Sequence, residues 1–158
     1  MDDSNYTILL VEDDENDATL MKMAFEKNKI LNPVQWVRDG LEAVAYLNGD
    51  GDYADRSKYP FPEVLLLDLK MPRMSGMELL AWIAEHPDFK IIPTIIMTSS
   101  RQEPDIEKAY KLGANTYMTK PCSLDELAQM VKVTHEYWAM SVKPKARFRK
   151  SGDSPTGK

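Results

Sequence analysis

The chain is 158 residues long, 43% hydrophobic and 28% charged, with a net charge of −5 and a mean hydropathy of −0.44. That length supports one domain with a sizeable core. It carries no apolar run long enough for a membrane span and no basic-then-apolar leader, so membrane and secreted classes are set aside and a cytoplasmic location is expected. The lone Cys122 excludes a disulfide framework and a cysteine metal site, and the acidic balance argues against a nucleic-acid-binding core.

Five short apolar runs alternate with helical patterns, the signature of successive βαβ units and a parallel sheet. The first strand is predicted near 7–11 and stops abruptly at Glu12-Asp13. A helix follows, with Ala18, Met21, Ala24 and Phe25 spaced for one buried face. The second strand lies near 33–37, and a second helix after Gly40 is expected to bury Leu41, Val44 and Ala45. The loop over 48–62 then contains Asn48, Asp50 and Asp52, as a calcium-binding loop would. Tyr53 and Tyr59 stand where such a loop needs its glycine and its glutamate, so calcium is not expected there.

The third strand, near 63–67, ends at Asp68. The third helix opens on a capping box, Ser75 to Glu78, and buries Leu79, Leu80 and Ile83. The fourth strand, near 93–97, is followed by Thr98-Ser99-Ser100, and the fourth helix has Pro104 in its first turn and Gly113 past its end. The fifth strand, near 115–119, runs into Lys120-Pro121. The fifth helix opens on a second box, Ser123 to Glu126, and continues through Leu127, Val131 and Trp138. His86 and His135 have no metal-ligand spacing. Residues 143–158 hold six basic residues against Asp153 alone, a net +5, which leaves −10 on residues 1–142. The division is therefore 1–142 as the folded domain and 143–158 as a basic disordered tail.

Ligands of open α/β sheets bind outside the carboxyl ends of the strands. There this chain places Glu12, Asp13 and Asp68, a hydroxyl on Thr98 and the ammonium of Lys120. Three carboxylates crowded together call for a hard cation such as magnesium. A metal, a hydroxyl and a lysine together suit a phosphoryl group. Asp14 and Asp17 remain available to cap the first helix.

The ordered set Glu12-Asp13, Asp68, Thr98 and Lys120-Pro121 resembles the response-regulator receiver domain of two-component signalling, over roughly residues 6–140. The resemblance implies an α/β fold: a doubly wound, five-stranded parallel sheet in the flavodoxin-like order 2-1-3-4-5 with helices on both faces. It implies that Asp68 accepts a phosphoryl group from a sensor histidine kinase. Magnesium would be held by Glu12 (through water), Asp13, Asp68 and the backbone carbonyl of Lys70. Thr98 and Lys120 would contact the phosphoryl group, with a cis bond before Pro121. Tyr117 would act with Thr98 as the switch, linking the site to the surface of the fourth helix and fifth strand. Lys70 and Ser100 occupy positions that influence dephosphorylation in the family.

The Met71-Pro72-Arg73-Met74-Ser75-Gly76 segment resembles the family's turn, with Gly76 expected to supply a positive φ. The long loop and the Tyr137-Trp138 pair resemble response regulators paired with bacterial phytochromes. The partners implied are such a kinase and, through Tyr137, Trp138, Met140 and Val142, a second copy of the chain; neither nucleic acid nor membrane is expected. Two other readings compete. One is a receiver degenerate in chemistry that serves as a docking scaffold. The other is an aspartyl-intermediate phosphatase, which would carry a second acid where Lys70 stands.

Overall fold

The computed structural model describes residues 6–142; the basic tail predicted for 143–158 lies outside the described residues. Strands β1 (Ile8–Val11), β2 (Val34–Val37), β3 (Val64–Leu67), β4 (Thr94–Thr98) and β5 (Thr116–Thr119) form one parallel sheet in the order β2-β1-β3-β4-β5. The helices are α1 (Glu15–Lys27), α2 (Gly40–Asn48), α3 (Gly76–Ala84), α4 (Pro87–Lys90), α5 (Glu103–Lys111) and α6 (Leu124–Met140). The sequence pattern predicted all of these but α4, whose single turn is too short for a periodicity to register. None of the described helices is long and apolar enough to cross a membrane.

The central strands β1, β3 and β4 are buried throughout, because helices cover both faces. Alternate side chains divide between two cores. Leu9, Val11, Leu65, Leu67 and Ile96 pack under α2 and α3, with Ala109 of α5. Ile8, Leu10, Leu66, Ile95 and Met97 pack under α1 and α6.

Helix α1 buries the four residues expected of it, and α3 its expected three on the Ser75–Glu78 capping box. In α2 the expected face is rotated: Ala43, Tyr46 and Leu47 are buried, and Leu41 is half exposed. Ala43, Tyr46 and Leu47 share the face that packs on the first core, and at the start of that helix Gly40 passes so close to Met74 that a Cβ would come within 2.7 Å of it. In the 48–62 loop, Tyr53 and Tyr59 pack their rings on Tyr46 with centroids 5.0 and 6.1 Å away, so both serve the core. His86 stacks on Trp82 at 3.9 Å and His135 pairs with the Tyr6 hydroxyl at 3.0 Å, both structural contacts.

Gly76 corrects another expectation. It is not in the left-handed region; Arg73 is, at φ 63°. Gly76 is required instead by contact, since a Cβ there would lie 2.1 Å from the Asp68 carbonyl oxygen. Gly76→Ala is therefore expected to cost about 3 kcal/mol by overpacking against backbone that cannot yield. Equal urea midpoints for variant and parent would contradict this.

Candidate functional site

The site lies at the carboxyl ends of β1, β3, β4 and β5. Where its apolar run ends, β1 delivers Glu12 and Asp13, β3 Asp68, β4 Thr98 and β5 Lys120. Glu12 and Asp68 are buried, and carboxylate oxygens of Glu12, Asp13 and Asp68 all lie within 4.8 Å of one another. Lys120, just past β5, closes the group. Its Nζ lies 2.9 Å from Glu12 Oε2, 3.0 Å from Asp68 Oδ2 and 2.7 Å from Asp17 Oδ2.

Sequence reasoning left Asp17 as one of two capping candidates. The structure separates the two. Asp14 caps α1, accepting from the N–H groups of Asn16 and Asp17 at 2.8 and 3.1 Å. Asp17 is thereby free to face Lys120. The available signal was two acids in one turn, of which a helix needs only one as its cap.

Burial pushes the Glu12 carboxyl up to about 7, the Lys120 contact opposes that, and the neighbouring Asp68 charge adds to it. Burial by itself would lower the Lys120 pKa, but Asp17, Glu12 and Asp68 outweigh it and hold the ammonium charged well above its ordinary range. One cation thus meets three carboxylates, with Asp13 as a fourth acid in the cluster, and the pocket holds more acids than cations.

Thr98 is fully buried at the end of β4, and its Oγ1 has no hydrogen-bond partner among the described residues. A buried hydroxyl without a partner is costly, which makes Thr98 Oγ1 a candidate to receive one from a bound group. Hard carboxylate oxygens in excess of the nearby cation, with an unpartnered hydroxyl at the end of the adjacent strand β4, fit magnesium and a phosphoryl group. Bound there, magnesium would restore Glu12 to its ionised form and neutralise charge on incoming phosphoryl oxygens.

Lys70 is exposed, and its N–H donates to Asp68 Oδ1 at 3.3 Å, which sets the first turn of the loop beside the acid. That loop is clamped from the other side. Arg73 Nε donates to the buried Asp39 at 2.7 Å, and Gly40 N–H donates to the Met74 carbonyl at 3.0 Å. Tyr117 donates its hydroxyl to the Ser100 carbonyl at 2.9 Å and packs on the first core. Ser100 Oγ bonds Asp105 of α5 at 2.6 Å. No described peptide bond is cis; Lys120–Pro121 is trans, contrary to the expectation, and Lys120 reaches the carboxylates from that conformation.

Magnesium is expected to raise the melting temperature of the unphosphorylated protein. At a hundredfold excess over its dissociation constant the gain is about 2.7 kcal/mol, and it shrinks on loss of any one of Glu12, Asp13 and Asp68. Melts unmoved by magnesium, manganese and calcium alike would remove the metal from the site.

Comparison with known proteins places these observations. The response regulator receiver domain family matches residues 8–132. The response regulator Rcp1 of Synechocystis is 38% identical over 143 residues, which cover 89% of this chain and 95% of that protein. The crystal structure of the phosphorylated cyanobacterial phytochrome response regulator RcpA superposes with a TM-score of 0.81 at 38% identity, over 89% of this chain and 99% of that one. The Mn(2+)-bound form of Rcp1 superposes at 0.77 with 37% identity, over 88% and 99%.

Proposed function

Because the chain belongs to the response regulator receiver domain family, we propose that Asp68 is its phosphoacceptor and that a sensor histidine kinase is the donor. The observation that carries this reading is the convergence of Glu12, Asp13 and Lys120 on the buried Asp68. A carboxylate oxygen of Asp68 attacks the phosphorus of the donor's phosphohistidine. The P–N bond breaks, its electron pair returns to the imidazole, and an acyl phosphate forms on Asp68. Water later hydrolyses that acyl phosphate, returning the carboxylate and inorganic phosphate. Lys120 follows the transferred charge as a point cation, and Thr98 Oγ1 gains the acceptor it lacks. Asp13, Asp68 and the Lys70 carbonyl, with Glu12 through water, would hold magnesium, which would supply the remaining positive charge.

The output follows from the same contacts. Thr98 and Ser100 are two residues apart, and Ser100 holds the Tyr117 hydroxyl. Movement of Thr98 toward a phosphoryl group therefore shifts the anchor of Tyr117 and the face formed by α5 and β5. The similarity to Rcp1 and RcpA, the latter described as a phytochrome response regulator, supports a phytochrome as the kinase partner. A Phos-tag gel with acetyl phosphate and magnesium tests the reading. A slow, alkali-labile band is expected; its absence favours a docking scaffold, and steady release of phosphate from added phosphomonoesters favours the phosphatase.

Pairing with a second copy belongs to the same proposal. Trp138 packs partly into the second core, whereas Val133, Tyr137, Met140 and Val142 are exposed by 54, 64, 86 and 89%. Large apolar residues this exposed along one helix and the residues after it call for a cover. Sedimentation at micromolar concentration is expected to show a homodimer that becomes monomeric on joint Tyr137→Glu and Met140→Glu substitution. A monomer in both phosphorylation states would leave the exposed α6 residues without a role in self-association.

A further inference from the structure

Trp36 is half-buried on the edge strand β2, and its indole N–H donates to the backbone carbonyl of Glu12 at 2.7 Å. The position of that carbonyl matters. In the ladder, Leu10 pairs with Trp36 and Val11 with Val37, and Glu12 N–H donates to the Val37 carbonyl at 3.0 Å. Beyond that bond β2 ends and the chain turns into α2, so the sheet supplies no further backbone donor. The Trp36 side chain takes over as donor to the next carbonyl of β1's continuation. This carbonyl belongs to the peptide plane that joins Glu12 to Asp13, the two acids that β1 delivers to the metal pocket.

Other contacts fix the indole. The ring packs against the core under α1 and α6. The Arg38 guanidinium and the Lys22 ammonium lie over it at 4.5 and 5.2 Å from the centroid. Glu12 is held by its side chain too, through the Asp14 N–H at 3.1 Å and Lys120 at 2.9 Å. Asp13 is the one acid of the three that is not buried. Its orientation depends on the peptide plane behind it.

We propose that Trp36 is a positioning residue for divalent-cation binding, pinning the Glu12–Asp13 peptide so that both carboxylates face Asp68. The inference rests on the metal reading given above and extends it to a residue outside the pocket. Phenylalanine keeps the ring and removes the donor, so Trp36→Phe isolates the hydrogen bond.

Magnesium dissociation constants of the full chain and of Trp36→Phe, read from the magnesium dependence of the melting temperature, test the proposal. Loss of a hydrogen-bonding partner behind a metal ligand weakens binding by about 10–100-fold, and a change in that range is expected here. A residue that merely stabilised the fold would lower the metal-free melting temperature and leave the dissociation constant alone; that result overturns the proposal. A second measurement needs no variant of Trp36. In the wild-type protein the Trp36 indole proton resonance should move on magnesium addition and titrate with the same dissociation constant as the melting shift. A resonance that stays still while the protein binds magnesium also overturns it. Failure of the wild type to bind magnesium at all is distinguishable from both, since it removes the metal site itself and this inference with it.

Discussion

Asp68→Asn is expected to abolish phosphorylation completely while the fold survives. The amide has the shape of the carboxylate but cannot form an acyl phosphate. Asp68 is buried at the end of β3, whose residues are all buried, so an isosteric change leaves the packing intact. The substitution also removes one negative charge from the cluster with Glu12 and Asp13, while Lys120 keeps Glu12 and Asp17 as partners. Metal-free stability is therefore expected to change by no more than about 1 kcal/mol, because the lost ion pair and the relieved repulsion oppose each other. Phos-tag gels with acetyl phosphate, and labelling from a phosphohistidine donor, check the first point; thermal melts in EDTA check the second. A variant that still takes up label would move the phosphoacceptor to another acid.

Lys120→Met is expected to give the largest loss of stability at the site, and the loss should depend on magnesium. The ammonium touches three carboxylates, of which Glu12 and Asp68 are buried. Breaking a buried pair leaves uncompensated charge at a cost of about 3–5 kcal/mol. Lys120 and Asp17 keep some contact with water, which places the expected cost without metal at about 2–3 kcal/mol, or roughly 4–12 °C for a domain of this size. Magnesium should recover most of the loss, because it then meets the same carboxylates with no competing ammonium. Its affinity should rise accordingly. Phosphorylation with small donors should slow, since the cation that follows the phosphoryl charge is gone. Parallel melts in EDTA and in magnesium decide the matter. If Lys120→Met and the parent melt together in EDTA, the ammonium does not balance this cluster.

The strands were legible in the sequence because a parallel sheet covered on both faces demands short continuous apolar runs, and each run here ends at a polar residue. The strand ends therefore marked Glu12, Asp68, Thr98 and Lys120 directly. Helices α1 and α3 were legible because their buried residues recur at helical spacing over two turns or more. Helix α2 was misjudged in rotation because Leu41 and Val44 are as apolar as its buried residues. Which of these faces turns inward is settled by packing against the first core, where Gly40 also passes close to Met74, and contacts between residues so far apart in sequence carry no periodic signal.

Gly76 shows the same division. Its presence after a Met-Pro turn was readable, but its reason was not, since a close approach to the Asp68 carbonyl exists only once β3 and α3 are packed.

By itself the sequence determined the five strands, the five longer helices, their succession along the chain and the side chains that end each strand, because hydrophobic periodicity is local and encodes burial residue by residue. The tertiary structure alone decided how those side chains are held. It assigned Asp14 to the cap and Asp17 to Lys120, left Thr98 Oγ1 without a partner among the described residues, and set Trp36 against the Glu12 carbonyl. Each of these depends on distances between strands and helices that meet only on folding, and a hydrogen bond is decided within a few tenths of an ångström, finer than any pattern of residue types specifies.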